Sequence, residues 1–167
     1  MKKLLILIAV FTIFFSGCRR KEESTYMAEI KNAVANKDIK ATIETSEKFI
    51  KAFPQGVNTA QVMYDLGGIY DQGMDSSKTA SLSDSLAVEQ FHQLVQQFPT
   101  SPLAPKAAFQ MGFILENDLK QFDNAKAAYR NYIKAFPNHE MVKDAQFEID
   151  NMGKPLEDII NQAQNSK

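Results

Sequence analysis

Three stretches of this chain end in the same dipeptide with the same apolar spacing ahead of it: Phe49-Ile50-Lys51-Ala52-Phe53-Pro54, Leu94-Val95-Gln96-Gln97-Phe98-Pro99 and Tyr132-Ile133-Lys134-Ala135-Phe136-Pro137. Counting back from each proline by eight, five, four and one residues gives Ser46, Phe49, Ile50 and Phe53, then Phe91, Leu94, Val95 and Phe98, then Tyr129, Tyr132, Ile133 and Phe136. That is the i, i+3, i+4, i+7 stripe of an amphipathic helix. Proline pushes the residue before it out of the α region, so the spacing predicts three helices that each stop at the phenylalanine. Counting forward by eight, ten and twelve gives Val62, Tyr64 and Leu66, then Ala107, Phe109 and Met111, then Ala145, Phe147 and Ile149. A second helix is therefore predicted after every Phe-Pro turn. A chain with this internal period stacks helix pairs, each burying its apolar face against its neighbours.

Composition agrees with helices: alanine occurs 18 times and glutamine 12 times against 7 valines, a bias toward helix over sheet. With 167 residues the chain has room for one domain. An initial helix is predicted over residues 24–36, turning at Asn36-Lys37-Asp38 into the helix that ends at Phe53. Ser101-Pro102 and Pro105 suit a helix start, as a cap and a first-turn proline. The step from Pro54 to Pro99 is 45 residues and that from Pro99 to Pro137 is 38, with the seven extra residues falling between Gly67 and Pro99. The polar, small-residue segment 71–85 supplies that excess and is expected to be a solvated loop, the alternative being a partner-contacting insertion. After Met152, Gly153-Lys154-Pro155 breaks the helix, and Leu156, Ile159, Ile160 and Ala163 form a short apolar stripe. Residues 154–167 are expected to cap the last repeat or to serve as a partner-binding tail.

The N-terminus reads as an address. Met1-Lys2-Lys3 precedes an uncharged run of twelve residues, 4–15, which is shorter than the ~20 apolar residues of a membrane span and matches the core of a secretory signal. Phe15-Ser16-Gly17-Cys18 resembles the lipobox of bacterial lipoproteins, in which small residues precede a cysteine that is acylated on sulfur and becomes the mature N-terminus. Cys18 is the chain's one cysteine, so no intramolecular disulfide is open to it. The resemblance implies a signal peptide over 1–17, a lipidated tether over 18–23 and a folded domain over 24–153. Arg19, Arg20 and Lys21 would then contact anionic head groups or act as a solvated tether. Lys21-Glu22-Glu23 also looks like the short acidic signals that send some lipoproteins to the cell surface.

Several kinds of chemistry find no support. Nineteen Lys+Arg against 20 Asp+Glu is no basic excess, which argues against a nucleic-acid ligand. His92 and His139 fall in different repeats, with no second cysteine and no HExxH spacing, so no metal site is expected. Acidic pairs such as Glu22-Glu23, and Glu148 with Asp150, lie on the tether or on polar helix faces and define no acid/base dyad. The serines between 76 and 85 lack a G-x-S-x-G turn, and no phosphate-binding G-x-x-x-x-G-K-[ST] string occurs. Neither an enzyme activity, nor a cofactor, nor a small-molecule substrate is expected.

The unit also carries a family signal. Met63-x-x-Leu66-Gly67-x-x-Tyr70 resembles the first helix of a tetratricopeptide repeat, and Ala108-x-x-Met111-Gly112-x-x-Leu115 repeats it less closely. Ala87-x-x-x-Phe91 with Pro99, and Ala125-x-x-x-Tyr129 with Pro137, resemble its second helix, whereas the first unit has Thr42 and Ser46 at the alanine and aromatic places. With the lipobox, the chain resembles the tetratricopeptide lipoproteins of the Gram-negative outer membrane, among them the D component of the β-barrel assembly machinery and the periplasmic Tol-Pal coordinator. The resemblance implies an all-α tetratricopeptide superhelix of about three and a half helix pairs, anchored in the outer membrane and facing the periplasm or the cell surface. It implies a protein-interaction scaffold for envelope proteins or peptide segments, in outer-membrane protein assembly or, alternatively, in coordinating peptidoglycan or division machinery. A ligand-binding lipoprotein with a closed pocket is a third reading. By the same resemblance, the positions exposed on the concave face are Gln61, Tyr64, Gly68 and Asp71 in one unit and Lys106, Phe109, Phe113 and Glu116 in the next, with Phe147 in the last. Tyr64, Phe109 and Phe147 have the alternative of packing between helices, while Phe113, directly after Gly112, leaves the buried stripe.

Overall fold

The computed structural model describes residues 21–165; the segment expected to be a signal peptide, Cys18 and the two arginines after it lie outside the described residues. Eight helices follow one another: α1 (Glu23–Ala35), α2 (Ile39–Ala52), α3 (Thr59–Asp71), α4 (Ala80–Gln97), α5 (Ala104–Asn117), α6 (Phe122–Ala135), α7 (Val142–Asn151) and α8 (Leu156–Asn165), with no strand among the described residues. From α1 to α7 each helix packs on the next, as a tetratricopeptide superhelix requires.

The Phe-Pro turns share one backbone conformation. Phe53, Phe98 and Phe136 close α2, α4 and α6 at φ near −130° (−131°, −130° and −130°). Each donates its N–H four residues back at 2.8 Å, to Phe49, Leu94 and Tyr132. Each phenylalanine carbonyl then accepts an N–H three residues on at 3.0 Å, from Gly56, Ser101 and His139, with proline second in the turn, where its fixed φ fits. The next helix starts from that turn, and α5 carries Pro105 within its first two positions. The α1–α2 hairpin turns through Lys37 at φ 56°, and the Asp38 side chain accepts from Ala41 N at 2.9 Å to cap α2.

Small residues set the distance within each pair. A Cβ added at Gly67 would lie 2.6 Å from Phe91 Cε1, and one at Gly112 would lie 2.7 Å from Tyr129 Cε1. Both rings are buried, so in successive repeats the bare face of the first helix receives the aromatic ring of the second. Asp150 stands at the equivalent place in α7 and is exposed. The buried residues form two clusters, one from α2 to α5 and one from α5 to α7; Val88, Val95, Met111 and Phe136 pack against both and make the core continuous.

One expectation changes. Only residues 72–79 of the segment 71–85 form a loop, because the Thr79 side chain accepts from Leu82 N at 3.3 Å and starts α4 at Ala80. Residues 80–85 thus lengthen α4 to 18 residues against 14 in α2 and α6. The C-terminal stripe does form a helix, yet α8 leaves Ile160 47% exposed and makes no broad contact with α7 among the described residues.

Candidate functional site

The odd-numbered helices α3, α5 and α7 are the first members of their pairs, and their outward positions define one face. On α3 the stripe runs Gln61, Tyr64, Gly68, Asp71. Gln61 is exposed and donates to Asp65 Oδ1 at 2.8 Å. Tyr64 is half-buried, its ring centroid 5.6 Å from that of Phe91. Gly68 opens onto space, since an added Cβ would meet only Gln72 Nε2 at 3.8 Å. Asp71 is half-buried and accepts from Gln110 Nε2 at 3.0 Å, which ties α3 to α5.

On α5 the stripe Lys106, Phe109, Phe113, Glu116 divides. Lys106 is exposed and Phe113 is 40% exposed. Phe109 and Glu116 correct the expectation of exposure. The Phe109 ring sits 5.4 Å from Tyr129 and 5.7 Å from Tyr132 and is 9% exposed, so it belongs to the core. Glu116, also 9% exposed, turns inward, where it is paired with the Tyr129 hydroxyl and feels the charge of Glu148 on α7. Phe147 on α7 is 52% exposed, so of the three aromatics with a packing alternative only Phe109 is fully interior.

The carboxylates around this face are held in their neutral form more strongly than usual. Burial pushes Glu116 up, and the negative charge of Glu148 adds to it. Glu148 is raised by burial and by Asp144, one helical turn earlier. Asp71 is raised by burial, the Gln110 hydrogen bond opposing, and Asp118 and Asp84 raise it further. Burial pushes the Tyr129 hydroxyl up, as do the charges of Glu116 and Glu148. Glu148, Asp144 and Gln110 were not among the residues expected from sequence. The signal for the first two was present in a like-charged i, i+4 pair, which costs helix stability unless something else requires it.

Elsewhere, a cleft of about 410 Å³ lies between α2 and the 72–79 loop, lined by Ile39, Ile43, Glu47, Met74 and Lys78 among others. His139 Nδ1 is 2.7 Å from the Tyr132 hydroxyl, a packing contact of the last turn, and His92 is exposed. No group of three or more histidine, cysteine, aspartate or glutamate side chains is arranged to hold a metal among the described residues. No described helix is long and apolar enough to cross a membrane.

Comparison with known proteins gives two matches. Residues 9–119 match a family described as outer membrane lipoprotein, a span that begins inside the apolar N-terminal run and includes Cys18. Residues 106–139, covering most of α5 and all of α6, match the tetratricopeptide repeat. No curated protein matches the chain.

Proposed function

The chain belongs to the outer membrane lipoprotein family that it matches over residues 9–119, and from that premise we propose that it is a non-catalytic adaptor, tethered to the outer membrane through an acylated Cys18 and facing the periplasm. Its helical repeat holds a partner from the envelope on the α3–α5–α7 face, in the service of outer-membrane protein assembly. Acyl chains contribute roughly 0.8 kcal/mol per buried CH₂, and more than one chain holds a protein stably at a bilayer. The match spanning the lipobox supports that anchor.

One observation carries the binding reading. Phe113 and Phe147 stand 40% and 52% exposed on adjacent first-position helices, beside a core in which Phe91, Tyr129 and Tyr132 are at most 2% exposed. Aromatic side chains left on one face of a folded repeat are typical anchors for a protein partner. The cleft beside α2 is half-open and serves the ligand-binding reading less well.

Affinity purification of the lipidated protein from crosslinked envelopes, beside a Phe113→Ala control, tests this. Barrel-assembly components recovered with the parent and lost with the control are the expected result. Recovery of cell-wall or division enzymes moves the function to the coordinator reading, and a chain fractionating away from membranes removes the anchor.

A further inference from the structure

The three Phe-Pro turns share a conformation but differ at one outward position. Three residues after each proline stand Val57, Pro102 and Glu140, all exposed, Val57 at 94%. Neighbouring helices joined by short turns run antiparallel, so the start of α1 and all three turns lie at one end of the superhelix. A lone exposed valine is ordinary on a protein surface; what sets Val57 apart is what its turn is tied to. Glu23 Oε1 accepts from Asn58 N and Asn58 Nδ2, both at 3.0 Å, which fixes the first residue of α1 beside that turn. Tyr26, one helical turn along α1, packs edge-on against Phe49 and Phe53 at the end of α2. Lys21 already belongs to the same corner: its ammonium pairs with Glu29 and sits 4.0 Å from the centroid of the Tyr26 ring.

Chain length turns this corner into an orientation. Lys21 follows Cys18 by three residues, and an extended chain spans at most ~3.3–3.6 Å per residue, so an acylated Cys18 leaves Lys21 within about 11 Å of the lipid attachment. The polar layer of one leaflet is itself roughly 5–8 Å deep. A tether that short brings the Phe-Pro end of the first repeat onto the head groups. Local charge suits such a surface: residues 48–64 contain Lys48 and Lys51 and no Asp or Glu, and Lys51 is exposed in the last turn of α2. Cations near a bilayer are drawn to anionic lipids. Among the three equivalent turn positions, the valine stands in the turn nearest the anchor along the chain and the glutamate in the turn furthest from it.

We infer that turn 54–58, with Val57 at its tip and Lys51 at the adjoining end of α2, is a membrane-contact surface that seats the first repeat on a phospholipid bilayer. Val57 enters the interface and Lys51 meets the head groups. The superhelix then stands with its Phe-Pro end toward lipid and the α1–α2 turn toward the aqueous side, so the α3–α5–α7 face is presented side-on to the membrane.

This inference rests on the acylation of Cys18, and its test tells the two apart. Cys18 is the chain's one cysteine and acylation consumes its thiol, so Val57→Cys and Val34→Cys each offer a single thiol to an environment-sensitive fluorophore. Val34, 57% exposed near the other end of α1, is the control. Both sites are exposed, where substitution leaves a fold intact. The lipidated full chain is placed in vesicles of phosphatidylethanolamine and phosphatidylglycerol that contain a nitroxide-labelled lipid. The expected result is a blue-shifted emission at 57 that the nitroxide quenches, with neither effect at 34. Inserting about twenty Gly-Ser residues between Arg20 and Lys21, an average span of about 25 Å, is expected to weaken that quenching. Equal quenching at 57 and 34, none at 57 in protein that floats with the vesicles, or quenching undiminished by the insert overturns the seating while leaving the anchor standing. Protein that does not float with the vesicles removes the anchor, and the contact surface with it.

Discussion

Two adjacent glycines, Gly67 and Gly68, should respond to the same substitution with opposite signs. Alanine in place of glycine in a helix interior gains about 1 kcal/mol, because glycine gives up more backbone freedom on folding. At Gly68 nothing opposes that gain, the nearest atom to the new methyl being Gln72 Nε2 at 3.8 Å on a flexible side chain. Gly68→Ala is therefore expected to stabilise by about 1 kcal/mol. At Gly67 the methyl would meet Phe91 Cε1 at 2.6 Å and Cδ1 and Cζ at 2.9 Å. Carbon atoms prefer ~3.5–4.0 Å, so the ring would have to retreat by about 1 Å. Phe91 is 2% exposed and packed within the core cluster, so its retreat has to displace other buried side chains. Overpacking of this kind costs typically ~1–3 kcal/mol, and three ring atoms in conflict place Gly67→Ala toward the upper end, for a net loss of about 1–2 kcal/mol after the helix gain.

Urea or thermal unfolding of the two variants measures the difference directly. For a domain of this size about 2–4 °C in Tm accompanies each kcal/mol, so the pair should separate by about 4–12 °C. Phe91→Leu in the Gly67→Ala background should recover part of the loss, and the double-mutant cycle should show coupling of about 0.5 kcal/mol or more. If Gly67→Ala and Gly68→Ala stabilise alike, the account of the repeat as ring-on-glycine packing is wrong. Additive effects of Gly67→Ala and Phe91→Leu would say the same.

Further tests concern other parts of the molecule. Gly112→Leu should disrupt the α5–α6 pair, because its Cβ alone meets three Tyr129 atoms within 3.0 Å, whereas Phe113→Ala should leave stability within about 0.5 kcal/mol as an exposed substitution and weaken partner capture; equal losses of Tm would refute the placement of the face. Acidification from pH 7 toward ~5 should raise the unfolding free energy: Glu116, Glu148 and Asp71 have raised folded values, so the folded state binds more protons than the unfolded state in this window. Asp75 works the other way, held to about 2 by Lys78 and Ser77, and its contribution disappears only as the pH falls below its ordinary range. The Glu116→Gln/Glu148→Gln variant should flatten the rise toward pH 5 in denaturation curves. Glu23 Oε1 accepts from both Asn58 N and Asn58 Nδ2 at 3.0 Å, pinning α1 to the α2–α3 turn. Glu23→Ala should therefore cost about 1–3 kcal/mol, seen as faster amide exchange at Asn58 and in α1 before the rest of the domain.

The parts of this molecule that could be read from sequence are those where one residue type alone satisfies the geometry. Phe-Pro marks three helix ends because proline constrains the residue before it, and all three phenylalanines adopt the same φ to within a degree. Gly67 and Gly112 were legible because any side chain there would enter an aromatic ring. Segment 80–85 misled because Ser and Thr serve loops and helix starts alike, and whether Thr79 caps a helix depends on the one hydrogen bond it makes to Leu82 N. Phe109 and Phe113 show the deeper limit. They are the same residue one helical turn apart on one stripe, yet Phe109 lies among Tyr129 and Tyr132 while Phe113 stands beyond the Tyr129 ring that Gly112 receives. The second helix of the pair decides which of the two is core, and a pattern along one helix carries no term for its neighbour's depth. The same holds for Glu116: the sequence pattern puts it on the open face, and only the packing of α5 against its neighbours turns it into a buried carboxylate that feels the charge of Glu148. The candidate binding face thus depends on contacts between repeats, which the motif within one repeat does not encode.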